Sequence, residues 1–250
     1  MRSHAFAEHL HDNGFSPVKV VRGGYKSYRS HVLNFFATPL QLKIIGGYTG
    51  SGKTQILRFL KSQGHQTIDL EAIAVHRGST FGTVGQQPTT EQFENNLFES
   101  FRKLDLTHPI WIEDESRNIG GVNIPGELYQ QMTGSDVYFI DIPREIRSAY
   151  LVTEYQGMDH EGLKEGIRRI SRRLGAENTG TALRLLEENR LASFASLILG
   201  YYDRKYLKAL KLHAKGKIYQ LCCDDTDPEK NGLKIVIYDE QIRRNQADPL

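Results

Sequence analysis

Gly47-Tyr48-Thr49-Gly50-Ser51-Gly52-Lys53-Thr54 decides how the rest of the chain reads. It fits the phosphate-binding pattern of Gly, any four residues, then Gly-Lys-Ser/Thr. Glycines let the backbone curl until several N–H groups aim at one anion. The start of a helix adds its dipole, and Lys53 adds a full positive charge. Thr54 offers a hydroxyl suited to Mg2+. The flanks agree: Leu40 to Ile45 is a β-rich run, and Gln55 to Leu60 reads as a helix with Ile56, Leu57 and Leu60 on one face. The motif assigns Gly47, Gly50, Ser51, Gly52, Lys53 and Thr54 to a phosphate group without naming the compound that carries it.

Working outward, a second strand is expected over His65 to Leu70, with Asp69 and Glu71 at its C-terminal end. That edge of an open parallel sheet is where ligands bind. The connection 71–90 includes His76-Arg77-Gly78-Ser79-Thr80-Phe81-Gly82 and is long for a structureless loop; such loops are functional or disordered. Arg77 is read there as an anion contact. Thr90 to Leu104 is a helix with Phe93, Leu97, Phe98 and Phe101 as a core stripe. Pro109 to Ile112 is a buried strand that runs into Glu113-Asp114-Glu115-Ser116-Arg117. Folds with this loop use a strand ending in acids to hold Mg2+ or to position an attacking group. Glu113 and Asp114 point to opposite faces of the strand. One of them is expected to join Thr54 at the metal, and the pattern leaves open which.

A short helix starts near Pro125, and Asp136 to Ile142 is another strand. Arg144 and Arg147 follow on one helical face, where two guanidinium forks would clamp a diphosphate or a phosphodiester. The competing reading pairs them with Glu145 or Glu154. Helices then dominate: Pro143 to Tyr155, His160 to Leu174, Gly180 to Asn189 and Leu191 to Lys211. The second carries Arg168, Arg169, Arg172 and Arg173, like charges stacked at i,i+4 twice, an arrangement that opposes folding unless an anion offsets it. These four are read as a nucleic-acid contact or a lid. From Arg144 to Lys217 there are 15 Lys and Arg against 9 Asp and Glu, although the whole chain has a net charge of only +2. Lys217 to Cys222 reads as a strand, as does Lys234 to Tyr238.

Composition bounds the rest. With 39% hydrophobic and 25% charged residues the chain is of the soluble globular type. No run approaches the ~18 apolar residues of a membrane span, and no apolar signal core is present. Cys222 and Cys223 are adjacent, which suits neither a disulfide with each other nor a zinc site. A cytoplasmic location without membrane association is therefore expected. Residues 1–38 read as helix (Ser3 to His11), strand (Val18 to Val21) and helix (Tyr25 to Phe36), an α/β unit without its beginning. The expected architecture is α/β: a P-loop NTPase-like parallel sheet flanked by helices over 39–250, with a basic helical region at about 143–215.

Several segments together resemble one family closely. They are Gly47 to Thr54, Asp69-Leu70-Glu71, His76-Arg77-Gly78-Ser79, Phe81-Gly82, Phe93-Glu94-Asn95, Trp111 to Arg117 and Ile119-Gly120. Glu154-Tyr155, Arg172-Arg173-Leu174-Gly175 and Tyr201-Tyr202-Asp203 extend the likeness over nearly the whole chain. The family is that of the tRNA 2-selenouridine synthases, in which a rhodanese domain precedes a phosphate-loop domain. Arg22-Gly23-Gly24-Tyr25-Lys26 resembles the end of the rhodanese part, so residues 1–38 are expected to be its C-terminal remnant, lacking the nucleophilic Cys.

The resemblance implies a transferase acting on a wobble 2-thiouridine of tRNA. A geranyl group from geranyl diphosphate is placed on sulfur, and selenium from selenophosphate then replaces that sulfur. It implies Mg2+, no obligatory nucleotide, and a separate rhodanese-type subunit if the selenium step is to run. Lys53, the loop amides, Glu113 or Asp114 through the metal, and Arg144 would stabilise the departing diphosphate. The rival readings are a small P-loop nucleotide or metabolite kinase with an Arg-rich lid, and a non-catalytic tRNA-binding remnant.

Overall fold

The computed structural model describes residues 2–76, 85–156 and 158–247. Two helices, α1 (Arg2–Asp12) and α2 (Gly24–Phe35), lead into strand β1 (Leu42–Gly47), the glycine loop and α3 (Lys53–Ser62). Then come β2 (Gln66–Ile68), a short α4 (Leu70–Ile73), α5 (Thr90–Phe101) and β3 (Ile110–Glu113). A small hairpin of β4 (Asn118–Ile119) and β5 (Val122–Asn123) precedes α6 (Gly126–Gly134) and β6 (Asp136–Asp141). Four helices follow: α7 (Arg144–Gln156), α8 (His160–Leu174), α9 (Ala176–Glu187) and α10 (Leu191–His213). The chain closes with β7 (Ile218–Cys222) and α11 (Pro228–Ala247).

Five strands form one parallel sheet in the order β2-β3-β1-β6-β7. The period of two sorts their side chains between two layers. Ile44, Ile112 and Phe139 face a core shared with Phe36, Phe93, Phe101 and Leu128 of α2, α5 and α6. Ile45, Trp111 and Tyr138 face the opposite core, with Ile56, Leu57 and Leu60 of α3 and Ile235 of α11. Burial on both faces is why these strands read as continuous apolar runs rather than as alternation. The helices α7 to α10 bury a third core of their own, including Leu163, Ile167, Phe194 and Ile198.

β1 lies between β3 and β6, and the chain leaves it first toward one side and later toward the other. The glycine loop thus sits at the point where the strand order reverses, at the carboxyl ends of the strands, which is the ligand crevice of such sheets.

Two expected strands are absent. Val18 to Val21 takes no regular structure and belongs to no sheet among the described residues, although the alternation half-buries Val18 and Val20. Lys234 to Tyr238 lies inside α11. There Ile235 is buried against α3, whereas Ile237 is exposed, so the β-branched run 235–237 spans two sides of a helix. Residues 24–36 are not set apart from the sheet, since Val32 and Phe36 are fully buried in its first core. Among the described residues no helix is long and apolar enough to cross a membrane.

Candidate active site

The loop leaves β1 at Gly47 and re-enters regular structure at Lys53, the first residue of α3. Gly50 and Gly52 have φ of 80° and 74°, left-handed conformations that other residues rarely adopt. The Lys53 ammonium donates to the Gly47 carbonyl at 2.9 Å and lies 5.9 Å from the centre of the Tyr206 ring. Ser51 Oγ is buried and has no hydrogen-bond partner among the described residues. An orphaned, buried hydroxyl within the glycine loop fits a phosphate oxygen, because a buried polar group is costly unless it is paired.

Beside the loop the acids converge. Thr54 Oγ1 lies within donating distance of Glu71 Oε2 (3.1 Å) and Glu113 Oε2 (3.2 Å). The Glu71 backbone N–H donates to Glu113 Oε1 at 3.0 Å. Carboxylate oxygens of Glu71, Glu113 and Glu115 all lie within 4.8 Å of one another. Burial, then the charges of Glu71 and Asp69, push the Glu113 carboxyl up to about 8. Glu115 is raised as well, by burial first and by Glu113 and Glu71 next. Three carboxylates held this close repel one another unless protons or a cation intervene. Their hard oxygens, together with the Thr54 hydroxyl, suit Mg2+.

Of the two acids between which the strand pattern left the choice, Glu113 faces this cluster and Asp114 does not. Asp114 accepts a hydrogen bond from the Tyr206 hydroxyl at 2.5 Å. The same oxygen of Tyr206 accepts the Gly47 N–H at 3.1 Å, so one tyrosine ties the loop to the end of β3. Asp114 is raised by burial and held back by Tyr206 and Lys53.

The expected arginine clamp is not present as such. Arg147 is buried, and its guanidinium is used up by Asp203, the Thr49 carbonyl and the Ile142 carbonyl. Arg144 is half-exposed and leans on Asp203, with Nε to Oδ2 3.3 Å; it is not part of the cavity wall. Arg58 and Lys205, by contrast, do line the cavity with Lys53. Arg77 lies outside the described residues, as do Phe81 and Gly82. His76, at their border, is half-buried with Nδ1 unpartnered among the described residues; its pKa is lowered by burial, against the pull of Glu71. Arg168, Arg169, Arg172 and Arg173 all lie exposed on α8, away from the loop, and Arg169 pairs with Glu165.

Sequence reasoning did not find Tyr206 or Asp203 as partners of the loop. Their spacing of three on a helix puts them on one face, and that was the available signal.

The cavity over the loop measures about 680 Å3. One end is walled by the loop, Thr54, Glu71, Asp114 and Glu115; the rest by side chains of α6, α7 and α10.

A strand, a glycine loop with its lysine at a helix start, and an acid on the neighbouring strand beside the loop threonine define a P-loop protein. Residues 40–221 match the model of the tRNA 2-selenouridine synthase AAA domain, and the chain belongs to that family. It is 31% identical over 252 residues to a tRNA 2-selenouridine synthase of Psychromonas ingrahamii, covering 86% of this chain and 66% of that one. With the synthase of Proteus mirabilis the identity is 34% over 240 residues, covering 82% and 65%. With that of Nitrosomonas europaea it is 35% over 162 residues, covering 62% and 41%. The chain thus spans less than two thirds of the length of these relatives.

Proposed function

We propose that this chain acts on tRNA and transfers a geranyl group from geranyl diphosphate to the sulfur of a wobble 2-thiouridine, as the first stage of replacing that sulfur by selenium from selenophosphate. The observation that carries this reading is one cavity lined both by the phosphate loop and by Thr54, Glu71 and Glu115 of the acid cluster, in a chain of this family. Sulfur attacks C1 of the donor, the C–O bond breaks, and diphosphate leaves with the electron pair. Lys53, the loop amides and the Ser51 hydroxyl neutralise the charge that collects on the departing oxygens, at fixed positions and without reorganisation. Thr54, Glu113, Glu71 and Glu115 would hold Mg2+, which supplies further charge neutralisation at the diphosphate. Tyr206 keeps Asp114 and the loop in register. Arg144, off the cavity wall, is assigned to support of Asp203 rather than to the leaving group.

The exposed arginines of α8 are the proposed contact with the tRNA backbone. The chain's two cysteines lie outside the cavity, so neither is assigned a role in the selenium stage.

Mass spectrometry of 2-thiouridine tRNA incubated with the chain, Mg2+ and geranyl diphosphate tests the reading. The expected product is tRNA heavier by one geranyl unit, formed without any nucleotide and lost in Lys53→Ala. Unchanged tRNA, or consumption of ATP with phosphate passed to a small molecule, would overturn it in favour of a kinase.

A further inference from the structure

The cavity does not end at the phosphate loop. It continues along Ile44 and Val137 of β1 and β6, which share its wall with Tyr206; a Cβ on Gly46 would stand 2.6 Å from Val137 Cγ1 and 3.0 Å from the Tyr206 hydroxyl, so the glycine lets Tyr206 pack close to the sheet there. Tyr206 therefore forms a wall of both regions, touching the loop amide of Gly47 with its hydroxyl and the passage with its ring. Beyond it the cavity runs between α6 and the C-terminal half of α10. Its walls there are Met132 and Val137 on one side and Ala209, Leu210 and Ala214 on the other.

Residues 209, 210 and 213 share one face of α10, and Ala214 follows directly on its end. Among the described residues lining this stretch, Tyr129, Thr133 and His213 add polar atoms to an otherwise apolar wall. A nucleoside lying here would leave most of its base and ribose polar groups unpaired, at a cost that an alkyl chain does not incur. A charged head at the loop and an apolar trough leading away from it match a diphosphate with a hydrocarbon tail. The two alanines leave the space that larger side chains would fill.

Resting on the donor assignment above, we propose that this groove holds the apolar tail of the diphosphate donor and that Ala209 and Ala214 set the tail length accepted. The alternative occupants of a P-loop crevice, nucleotides, would have to place their polar parts elsewhere. Burial of successive methylene groups then adds affinity until the groove is full.

Equilibrium binding to the full chain in Mg2+ tests this with four probes: inorganic pyrophosphate and the diphosphates of dimethylallyl, geranyl and farnesyl alcohols. Wild type is expected to bind geranyl diphosphate at least about tenfold tighter than pyrophosphate, with no further gain for farnesyl. Ala209→Leu, a helix-compatible change, and Ala214→Leu, just past the helix end, are each expected to lower geranyl affinity about tenfold and shift the preference toward dimethylallyl. Pyrophosphate binding within about twofold of wild type shows that the fold and the loop are intact. Equal affinity for pyrophosphate and geranyl diphosphate in wild type would overturn the groove while leaving the phosphate reading standing. A geranyl preference unmoved by both variants would place the tail elsewhere and overturn it equally. Failure of pyrophosphate itself to bind would take down the donor assignment and the groove with it.

Discussion

Arg147 and Asp203 meet fork to fork, Nη1 to Oδ1 and Nη2 to Oδ2 both at 2.9 Å, with the same Arg147 nitrogen Nη1 also donating to the Thr49 carbonyl at 3.1 Å. The pair is buried and joins α7, α10 and the phosphate loop. Removing one member leaves an uncompensated charge, so Arg147→Ala and Asp203→Ala should each destabilise by about 3–5 kcal/mol. Arg147→Lys should recover little, because an ammonium cannot span the fork. Urea unfolding of the three variants checks this; a loss below ~1 kcal/mol in all of them contradicts it.

Lys53 is a different kind of residue, half-buried and bonded to one carbonyl. Lys53→Ala should change stability by no more than about 1 kcal/mol. It should weaken pyrophosphate binding at least about tenfold. Calorimetric titration alongside thermal unfolding separates the two effects.

Glu113 is raised to about 8 in the folded protein, against about 4.3 when unfolded. A raised carboxyl pKa means the folded state binds the extra proton. The stability it contributes is complete below about 4.3 and is lost as pH rises through about 8. Metal-free protein should therefore weaken over that window, and Glu113→Gln should flatten the loss. Mg2+ at a hundredfold excess over its Kd should stabilise wild type by about 2.7 kcal/mol and Glu113→Gln far less. Thermal unfolding with and without Mg2+ at pH 6 and pH 9 gives the comparison.

Asp239 sets the acid limit. Burial alone would raise its pKa, but bonds from Lys43, Tyr138 and Arg243 hold it below the ordinary carboxylate range. Its partner shows the reverse balance: burial keeps Lys43 below its usual range in spite of the same bond. With three donors on one buried carboxylate, Asp239 is the group whose ionisation the packing of α11 depends on. A depressed pKa gives stability that is present above the unfolded value near 3.9 and is lost as pH falls through the folded value. Asp239→Asn should be less stable at pH 7 and lose less between pH 5 and pH 2. A parallel decline in wild type and variant would contradict this.

Arg168, Arg172 and Arg173 form no ion pair among the described residues and stand exposed on α8. Replacing each by Ala should weaken tRNA binding at all salt concentrations. Each should also reduce the slope of log K against log salt by about 0.7–0.9. An unchanged slope in the triple variant would remove α8 from the interface.

The sheet and its loop were legible because a single motif fixed strand, turn and helix together, and Ile44, Ile112 and Phe139 fall where period two requires. Helix α8 was legible to its ends, since Leu163, Ile167, Ile170 and Leu174 repeat at helical spacing. Val18 to Val21 misled because alternation reports burial of one side and says nothing of a hydrogen-bonding partner. Ile235 to Ile237 misled because β-branched residues carry only a weak preference that packing against α3 overrides. At the site, Thr54 came from the motif, whereas the strand pattern left Glu113 and Asp114 as equal candidates. Glu71 came near them only through the turn after β2, and Tyr206 through a helix some 90 residues later than Asp114 in the chain. Contacts of that range leave no periodic trace.

Helix α10 runs unbroken for 23 residues, about 35 Å. Its first half is packed among α7, α8 and α9, and its second half delivers Asp203 and Tyr206 to the loop. A rigid rod cannot tilt at one end alone. Any force on the arginine-bearing bundle is therefore felt as a displacement beneath the phosphate cradle. By reciprocity, were a diphosphate to draw the cradle inward and tRNA to rest on the bundle, each would change the affinity of the other by the same factor. Two substrates of very different size, one a polymer and one a small diphosphate, would in this way report their presence to each other through a single helix.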